Sequence, residues 1–284
     1  MGLQIVQAYS FLDYFYLEVN LMFEVSLTRN KTKILSFLKK DIIWNSFAIC
    51  DLEEYMDSLC EWYIAEKDKE IQALCLIWNG SSPPVLHTFG DLGGIESIFS
   101  TILTKNEVFL TVPNEHLQII EKFYKVEDLI QMSRFSVHHL FLEKASKYVN
   151  PNLVIRLTEK HLNQIKELYQ NFPDTYWDVE QFRSGIFYGV FENEKLIAAI
   201  GTHVVSMKFK ISAIGNMFIL PQYRKGLYYS SLLVANLYSQ LKQIGIDHII
   251  WNAQSKSRVA KLYKFWGGEV CCNFVHANCK RKSS

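Results

Sequence analysis

The chain has 284 residues, which is long for one domain and suits two domains of roughly 100 to 150 residues each. Its 30 Lys and Arg residues nearly balance 29 Asp and Glu residues, so the net charge of +1 gives no sign of nucleic-acid binding. Hydrophobic residues make up 49% of the sequence, which excludes a disordered chain and predicts a soluble, globular protein with a sizeable core.

The first 26 residues are rich in aromatic and aliphatic side chains, but they match neither a signal peptide nor a membrane span. Asp13, Glu18 and Glu24 interrupt the apolar run, and no basic region precedes it. We therefore expect residues 1–26 to form an arm that packs on the first domain, in a protein with no membrane partner.

The cysteines form no CxxC pair and have no histidines at the spacing of a zinc site. They are Cys50, Cys60, Cys75, Cys271, Cys272 and Cys279. This pattern is typical of reduced thiols, so the sequence predicts a cytoplasmic protein that uses no metal.

Residues 27–147 are predicted to form the first domain. Helical spacing of apolar residues, strand-like runs and turn signals place its elements in order. They are two short helices between residues 30 and 55, strands at 72–80, 85–90, 107–112 and 138–143, and helices at 94–104 and 116–124. The isolated His87 and His116 are expected to pack or face solvent rather than to act in chemistry.

A polar linker at residues 144–152 leads to the second predicted domain, residues 151–284. The predicted strands are 153–158, 186–192, 195–206, 212–220, 247–253 and 269–275, and the helices follow Thr158 and lie at 178–184, 227–244 and 256–266. The connections between the strands from 186 to 220 are too short for helical crossovers, so these three strands should form an antiparallel meander.

The stretch from residue 211 to 233 has the pattern of an anion site. An apolar strand ends at Pro221, which lacks a backbone donor, and Gly226 allows a tight turn before an amphipathic helix. A helix N-terminus presents unpaired N–H groups and the positive end of the helix dipole, so a phosphate can bind there. Arg224 and Lys225 add positive charge beside it.

This stretch resembles the acetyl-CoA motif of the GNAT acyltransferase superfamily, in which a strand and a proline precede R/Q-x-x-G-x-G/A at the start of a helix. With Gly226 as the middle glycine, Tyr223 stands at the Arg/Gln position and Tyr228 at the final Gly/Ala position, so the turn is one residue shorter than usual. The order of predicted elements over residues 151–276 is also that of the GNAT fold.

The resemblance implies an α/β (α+β) fold with a mixed, mostly antiparallel central sheet flanked by helices. The N-terminal half also looks like an acyltransferase-like half, which implies two tandem GNAT-like domains of which only the second keeps the cofactor turn. The resemblance further implies acetyl-CoA as co-substrate. The implied contact residues are Met217, Phe218, Ile219, Arg224, Lys225, Gly226, Leu227, Tyr228 and Tyr229.

Two residues carry the implied catalysis. Tyr263 matches the superfamily's tyrosine on the last helix, where it would protonate the departing thiolate. Asn216 stands five residues before Pro221, at the position where many members have a glutamate base; its amide could orient a water or the incoming amine. His203 is the nearest titratable candidate for a base, although it equally suits a core histidine.

The expected function is acyl-CoA-dependent transfer of an acetyl group to a small-molecule or peptide amine, without nucleic-acid or membrane partners. Two alternatives stay open: a catalytically idle GNAT-like module that binds acyl-CoA, and a glycine N-acyltransferase-like enzyme. Residues 169–184, with Phe172, Tyr176 and Trp177, are expected to line the acceptor pocket.

Overall fold

A computed structural model describes residues 23–103, 105–137, 150, 152–172, 177–224 and 226–282. Several predictions lie outside the described residues: the N-terminal arm up to residue 22, the strand at 138–143, and most of the linker at 144–152. Lys225, predicted to contact the cofactor, and Tyr176, predicted to line the acceptor pocket, also lie outside them.

The described part of the chain alternates strands and helices. The strands are β1 (Glu24–Thr28), β2 (Cys60–Lys67), β3 (Glu70–Trp78), β4 (Val85–Gly90), β5 (Glu107–Pro113), β6 (Tyr124–Val137), β7 (Val154–Arg156), β8 (Phe187–Glu192), β9 (Lys195–Ser206), β10 (Ile211–Ile219), β11 (His248–Gln254) and β12 (Gly268–Arg281). The helices are α1 (Lys31–Leu38), α2 (Ser46–Cys50), α3 (Leu92–Thr101), α4 (Leu117–Phe123), α5 (Leu162–Gln170), α6 (Val179–Ser184), α7 (Tyr228–Gln243) and α8 (Arg258–Phe265). None of these helices is both long and apolar enough to cross a bilayer.

The chain divides into two compact units. Within the described residues, unit 1 contains 23–40, 54–130 and 274–282, and unit 2 contains 41–53 and 131–273. The sequence predicts two continuous domains, 27–147 and 151–284. Whether each of these segments folds independently stays a prediction. The contacts add that the C-terminal end of the chain packs in unit 1 and that residues 41–53 pack in unit 2.

Unit 1 has a sheet with the strand order β1-β2-β3-β4-β5-β12-β6, to which β12 contributes its C-terminal half and β6 its N-terminal half. Neighbouring strands from β1 to β4 are antiparallel, whereas β4 and β5 are parallel. The parallel pair needs a crossover, and α3 provides it. Side chains of β3, β5, α3 and β12 form one buried core.

Unit 2 repeats this plan with the strand order β12-β6-β11-β10-β9-β8-β7. The strands β8, β9 and β10 form the predicted antiparallel meander, and β10 pairs with β11 in parallel through the crossover helix α7. Helices α5 and α6 pack on β9, and α7 packs on β8 and β9. The mixed, mostly antiparallel sheet flanked by helices is therefore confirmed.

Three strands were not predicted from the sequence: β1, β2 and β6. β6 was not predicted because it contains Arg134, a charged residue that is only 1% exposed in the structure. Its guanidinium donates hydrogen bonds to Asn252 Oδ1 at 3.0 Å, to the carbonyl oxygen of Ile43 at 3.2 Å and to that of Trp44. Because these partners, distant in sequence, satisfy the guanidinium, a charged residue can occupy a buried position of β6. The alternation of polar and apolar residues that would predict a strand is therefore interrupted.

A mutation can test whether the C-terminal half of β12 packs in unit 1. Val275 is fully buried and pairs with Val112 of β5, whereas Val270, on the same strand, is 40% exposed. Because Val275→Ala removes buried methyl groups, we expect it to cost about 2 kcal/mol and to raise hydrogen exchange in β5. Val270→Ala is the matched control and should change little. Faster exchange in β8–β10 with β5 unchanged would contradict the assignment.

Candidate functional site

The candidate site begins where two parallel strands of unit 2 separate. β10 pairs with β11 only from Ile211 to Ile214, opposite His248 to Trp251. Beyond this point β11 continues to Gln254, and β10 continues to Ile219 with its register against β9 shifted between Gly215 and Phe218. The edge of β10 from residue 215 to 219 therefore leaves the parallel ladder, and Met217, Phe218 and Ile219 are half-buried there.

A short turn connects this strand end to α7. Pro221–Tyr223 form one turn of 3-10 helix, and Gly226 has φ +64°, a left-handed conformation that favours glycine. A side chain at Gly226 would meet no atom within 4 Å, so the backbone there is open.

Within the part of the chain that the structure describes, no side chain caps the N-terminus of α7. Leu227 is the N-cap residue, and among the described residues no side-chain hydrogen bond and no acidic residue satisfies the first turn. Leu227 and Tyr228 are 42% and 54% exposed. A 16-residue helix that begins in this way presents N–H donors and the positive end of its dipole to a ligand.

The predicted phosphate cation Arg224 stands beside this turn. Its Nε donates a hydrogen bond to the carbonyl oxygen of Ile219 at 2.8 Å, and its guanidinium lies 5.5 Å from the ring of Phe172. The charge is thus held at the end of β10 next to the start of α7. Tyr228 and Tyr229, also predicted contacts, pack edge to face with ring centroids 5.3 Å apart.

The equivalent turn of unit 1 is built differently. β4 pairs with β5 only from Val85 to His87, so the strands also separate. There, however, Asp91 caps α3 by accepting a hydrogen bond from the N–H of Gly94 at 2.9 Å. His116, only 3% exposed, contacts Thr88 Oγ1 through Nδ1 at 2.8 Å. In unit 1 a carboxylate therefore already occupies the helix N-terminus.

Asn216 lies at the register shift of β10 with φ +49° and is only 5% exposed. Its backbone oxygen accepts a hydrogen bond from the hydroxyl of Tyr169 at 2.6 Å. Its Nδ2 donates to Gln181 Oε1, also at 2.6 Å. Its Oδ1 is buried and has no hydrogen-bond partner among the described residues. The side chain thus offers one oriented acceptor to a ligand that carries an N–H or O–H group.

His203 belongs to the same hydrogen-bonded set. Gln181 Nε2 contacts His203 Nδ1 at 3.2 Å, and Gly215 leaves the space that the imidazole occupies, since a Cβ there would lie 1.9 Å from Nε2. Burial lowers the pKa of His203 to about 4, so the imidazole is neutral near pH 7 and is a weak base. Asn216 and His203 can be identified as candidates from the sequence, but Gln181 cannot, because no sequence pattern distinguishes a glutamine in a short helix.

Aromatic rings stand beside Asn216. Tyr169 stacks on Trp177 with centroids 5.0 Å apart and meets Phe218 edge to face at 4.8 Å. Phe172 stacks on Phe218 at 4.4 Å. The Nε1 of Trp177 is buried, and no residue that the structure describes accepts a hydrogen bond from it. The structure thus brings part of the segment predicted to line the acceptor pocket to Asn216 and to the end of β10.

Tyr263, the predicted general acid, is on α8 and is 7% exposed. Its ring contacts Phe135 at 5.5 Å, Trp251 at 4.7 Å and Trp266 at 6.3 Å between centroids. Burial raises the pKa of its hydroxyl to about 12, so the hydroxyl keeps its proton at neutral pH. The described residues show no contact between Tyr263 and the set around Asn216.

The arrangement suits an extended ligand with an anionic group. Beyond Ile214 no described strand pairs with β10 on this side, so its backbone around Met217 and Phe218 can pair with an extended ligand, and the turn at Gly226 offers N–H groups and positive charge. Among the described residues, no group of three or more His, Cys, Asp or Glu side chains could hold a metal ion.

Solved structures of GNAT proteins are similar to this chain. A GNAT-family acetyltransferase from Novosphingobium aromaticivorans DSM 12444 is 13% identical, with a TM-score of 0.56 over 87% of this chain and 99% of that one. A GCN5-related N-acetyltransferase from Sphaerobacter thermophilus is 12% identical, with a TM-score of 0.58 over 91% of this chain and 95% of that one. A tandem GNAT protein from the clavulanic acid biosynthesis pathway is 10% identical, with a TM-score of 0.58 over 92% of this chain and 100% of that one.

These identities are low, so they show the fold alone. The chain has the GNAT fold, and the resemblance found in the sequence is confirmed at that level. No protein-family model matches the sequence, and no curated protein matches it.

Proposed function

We propose that the protein is an N-acetyltransferase that takes its acetyl group from acetyl-CoA and carries its site in unit 2. One observation supports the proposal: β10 separates from β11 after Ile214 and leads, through Gly226, into a helix whose N-terminus has no cap from any described side chain. The GNAT fold of the chain supports the same reaction class. In unit 1 the corresponding helix is capped by Asp91, so we assign no cofactor site there.

The residues present fit acetyl-CoA in two places. The pyrophosphate would accept hydrogen bonds from the N–H groups of the turn at Gly226 and the first turn of α7, with Arg224 adding charge. The pantetheine amides would pair with the open edge of β10 around Met217, Phe218 and Ile219, as an added strand does. These are the contact residues that the sequence predicted.

Deprotonation of the amine is not assigned to His203. An alkylammonium with a pKa near that of lysine, about 10.4, would have to give its proton to an imidazole whose pKa is about 4. The difference of about 6 pKa units makes this transfer unfavourable by roughly 9 kcal/mol. We propose instead that the ammonium gives its proton to solvent water before it reacts, and that Asn216 Oδ1 orients the neutral amine by accepting one of its N–H groups. As the C–N bond forms and the C–S bond breaks, the proton that the nitrogen loses neutralises the departing thiolate, directly or through water.

The role proposed for Tyr263 follows from its raised pKa. A thiol, with a pKa of about 8.5, is a stronger acid than a phenol with a pKa of about 12, so full proton transfer to the thiolate is uphill. A hydrogen bond from the Tyr263 hydroxyl to the departing sulfur stabilises its developing charge without that cost. A bond to a charged group is worth about 1.5–3 kcal/mol, or roughly 10- to 150-fold in rate.

The proposal is tested by calorimetry with acetyl-CoA, followed by a thiol-release assay across a panel of amines. The panel should contain arylalkylamines, free amino acids, polyamines and a lysine peptide. Binding together with amine-dependent thiol release is the expected result. Binding without turnover on any amine would favour the idle acyl-CoA-binding module, and no binding would contradict the proposal outright.

We expect Gly226→Val to weaken acetyl-CoA binding by about tenfold or more, because valine disfavours φ +64° and would reshape the turn. Gly245→Val is the matched control. Gly245 has φ +84°, also meets no atom within 4 Å, and follows the C-terminal end of the same helix. Both variants should lose similar stability, and only Gly226→Val should lose affinity. Equal affinities would remove the turn from the site.

We expect Tyr263→Phe to lower kcat by roughly 10- to 150-fold, because it removes only the hydroxyl that would bond to the sulfur. Acetyl-CoA affinity and melting temperature should stay near those of the unaltered protein, since the ring is kept. Tyr238→Phe is the control, because Tyr238 is a buried tyrosine of α7 in the same unit. Normal turnover in Tyr263→Phe would leave Tyr263 with a packing role only.

A further inference from the structure

Three side chains of unit 2 form a hydrogen-bonded chain that runs from α6 to β10 and β9. Gln181 is at its centre: its Oε1 accepts from Asn216 Nδ2 at 2.6 Å, and its Nε2 contacts His203 Nδ1 at 3.2 Å and the His203 carbonyl oxygen at 3.4 Å. The backbone of Gln181 is held too, because its N–H donates to Asp178 Oδ1 at 2.7 Å. We call Gln181, Asn216 and His203 the amide chain.

The orientation of the amide chain is set at its His203 end. A backbone carbonyl oxygen only accepts hydrogen bonds, so Gln181 must direct its NH2 group toward His203. Its Oε1 then faces Asn216, which must donate a hydrogen bond from its own NH2 group. The Oδ1 of Asn216 is therefore directed away from Gln181, where it is buried and meets no hydrogen-bond donor of the described residues.

This arrangement has a cost that a ligand can offset. A buried acceptor without a hydrogen bond typically costs about 1–3 kcal/mol, and the left-handed backbone of Asn216 at φ +49° adds strain. Strain and unsatisfied polar groups cluster at binding sites, where the ligand supplies the missing partner. The missing partner of Oδ1 is a hydrogen-bond donor.

From this geometry we infer that Gln181 is a positioning residue that fixes the polarity of the Asn216 amide, so that the acceptor site selects a primary amine with an aromatic or other apolar arm. This inference rests on the proposed function and names the acceptor class for the same site. The apolar arm follows from the rings of Tyr169, Trp177 and Phe218 beside Asn216.

The aromatic rings alone would predict a different preference. A cation over an aromatic face is attracted whether or not it carries N–H groups, so a ring-lined site accepts quaternary ammonium groups well. An oriented carbonyl oxygen does the opposite, because it needs an N–H group. Selectivity between a primary amine and its trimethylated form therefore distinguishes recognition by Asn216 from recognition by the rings.

The first experiment tests whether the amide chain exists in solution. We expect the imidazole of His203, followed by NMR, to titrate near pH 4 in the unaltered protein, because burial disfavours its charged form. The charged side chains of α6 and the carboxylate bonded to the end of β9 have partners of their own: Asp178 caps α6, Arg183 pairs with Glu180 and Glu159, and Glu53 accepts from Ser206.

In Gln181→Glu a carboxylate replaces the amide beside Nδ1, so the pKa of His203 should rise by one unit or more. Gln170→Glu, an exposed glutamine of α5, is the matched control and should leave the titration unchanged. An unchanged pKa in Gln181→Glu would mean that Gln181 does not contact the imidazole, and would overturn the amide chain.

The second experiment measures binding of phenethylamine and of its N,N,N-trimethyl analogue by calorimetry, with and without saturating CoA. The two probes carry the same charge near pH 7. We expect the primary amine to bind the unaltered protein at least tenfold more tightly, because the trimethyl analogue has no N–H group to donate to Oδ1. Equal or tighter binding of the trimethyl analogue, or no binding of phenethylamine, overturns the acceptor class.

Two variants test the positioning role within that experiment. Gln181→Glu still places an acceptor against Asn216 Nδ2, so it should keep the preference for the primary amine. Gln181→Met, similar in length but apolar, no longer holds the amide, so the preference should fall to a few-fold. Full preference in Gln181→Met would remove the positioning role. Selective binding without thiol release would leave this inference standing while the proposed transfer reaction fails.

Discussion

The end of the parallel pairing between β10 and β11, at Ile214 and Trp251, is the constraint on which the site depends. Two parallel strands joined through a helix must part somewhere for the chain to leave the sheet, and here they part before β10 ends. Beyond that point Gly215, Phe218 and Ile219 pair with β9 on one side, and no described strand pairs with them on the other. At the register shift between Gly215 and Phe218, Asn216 adopts a left-handed conformation, and its side-chain oxygen has no partner in the described part of the chain.

Both units contain this strand-helix-strand crossover, and the helix N-terminus distinguishes them. In unit 1 the carboxylate of Asp91 bonds to the first turn of α3, so the positive end of that helix is already satisfied. In unit 2 the N-cap position is held by Leu227, whose side chain accepts no hydrogen bond. The same fold thus yields one satisfied helix end and one that can take an anion. The difference between the two helix N-termini follows from the N-cap residue, which is Asp91 in unit 1 and Leu227 in unit 2.

Much of this could be predicted from the sequence, because local patterns carry it. The meander β8–β10, the crossover through α7 and the turn at Gly226 follow from apolar periodicity and from proline and glycine positions, and the structure confirms those elements. Arg134 shows why β6 could not be predicted: its burial depends on carbonyl groups about 90 residues away in sequence. The role of Gln181 in the site could not be predicted for the same reason: it depends on contacts with Asn216 and His203, which are 35 and 22 residues away in sequence.

The central claim is that acetyl-CoA binds to the turn of unit 2 and not to that of unit 1. The most direct measurement is hydrogen exchange of the intact protein with and without saturating acetyl-CoA, read at the two crossovers. We predict slower exchange over residues 214–231, where the open edge of β10 and the first turn of α7 would gain partners, and no change over residues 85–98. Protection of residues 85–98, or unchanged exchange over 214–231 at a concentration that saturates binding, would contradict the account.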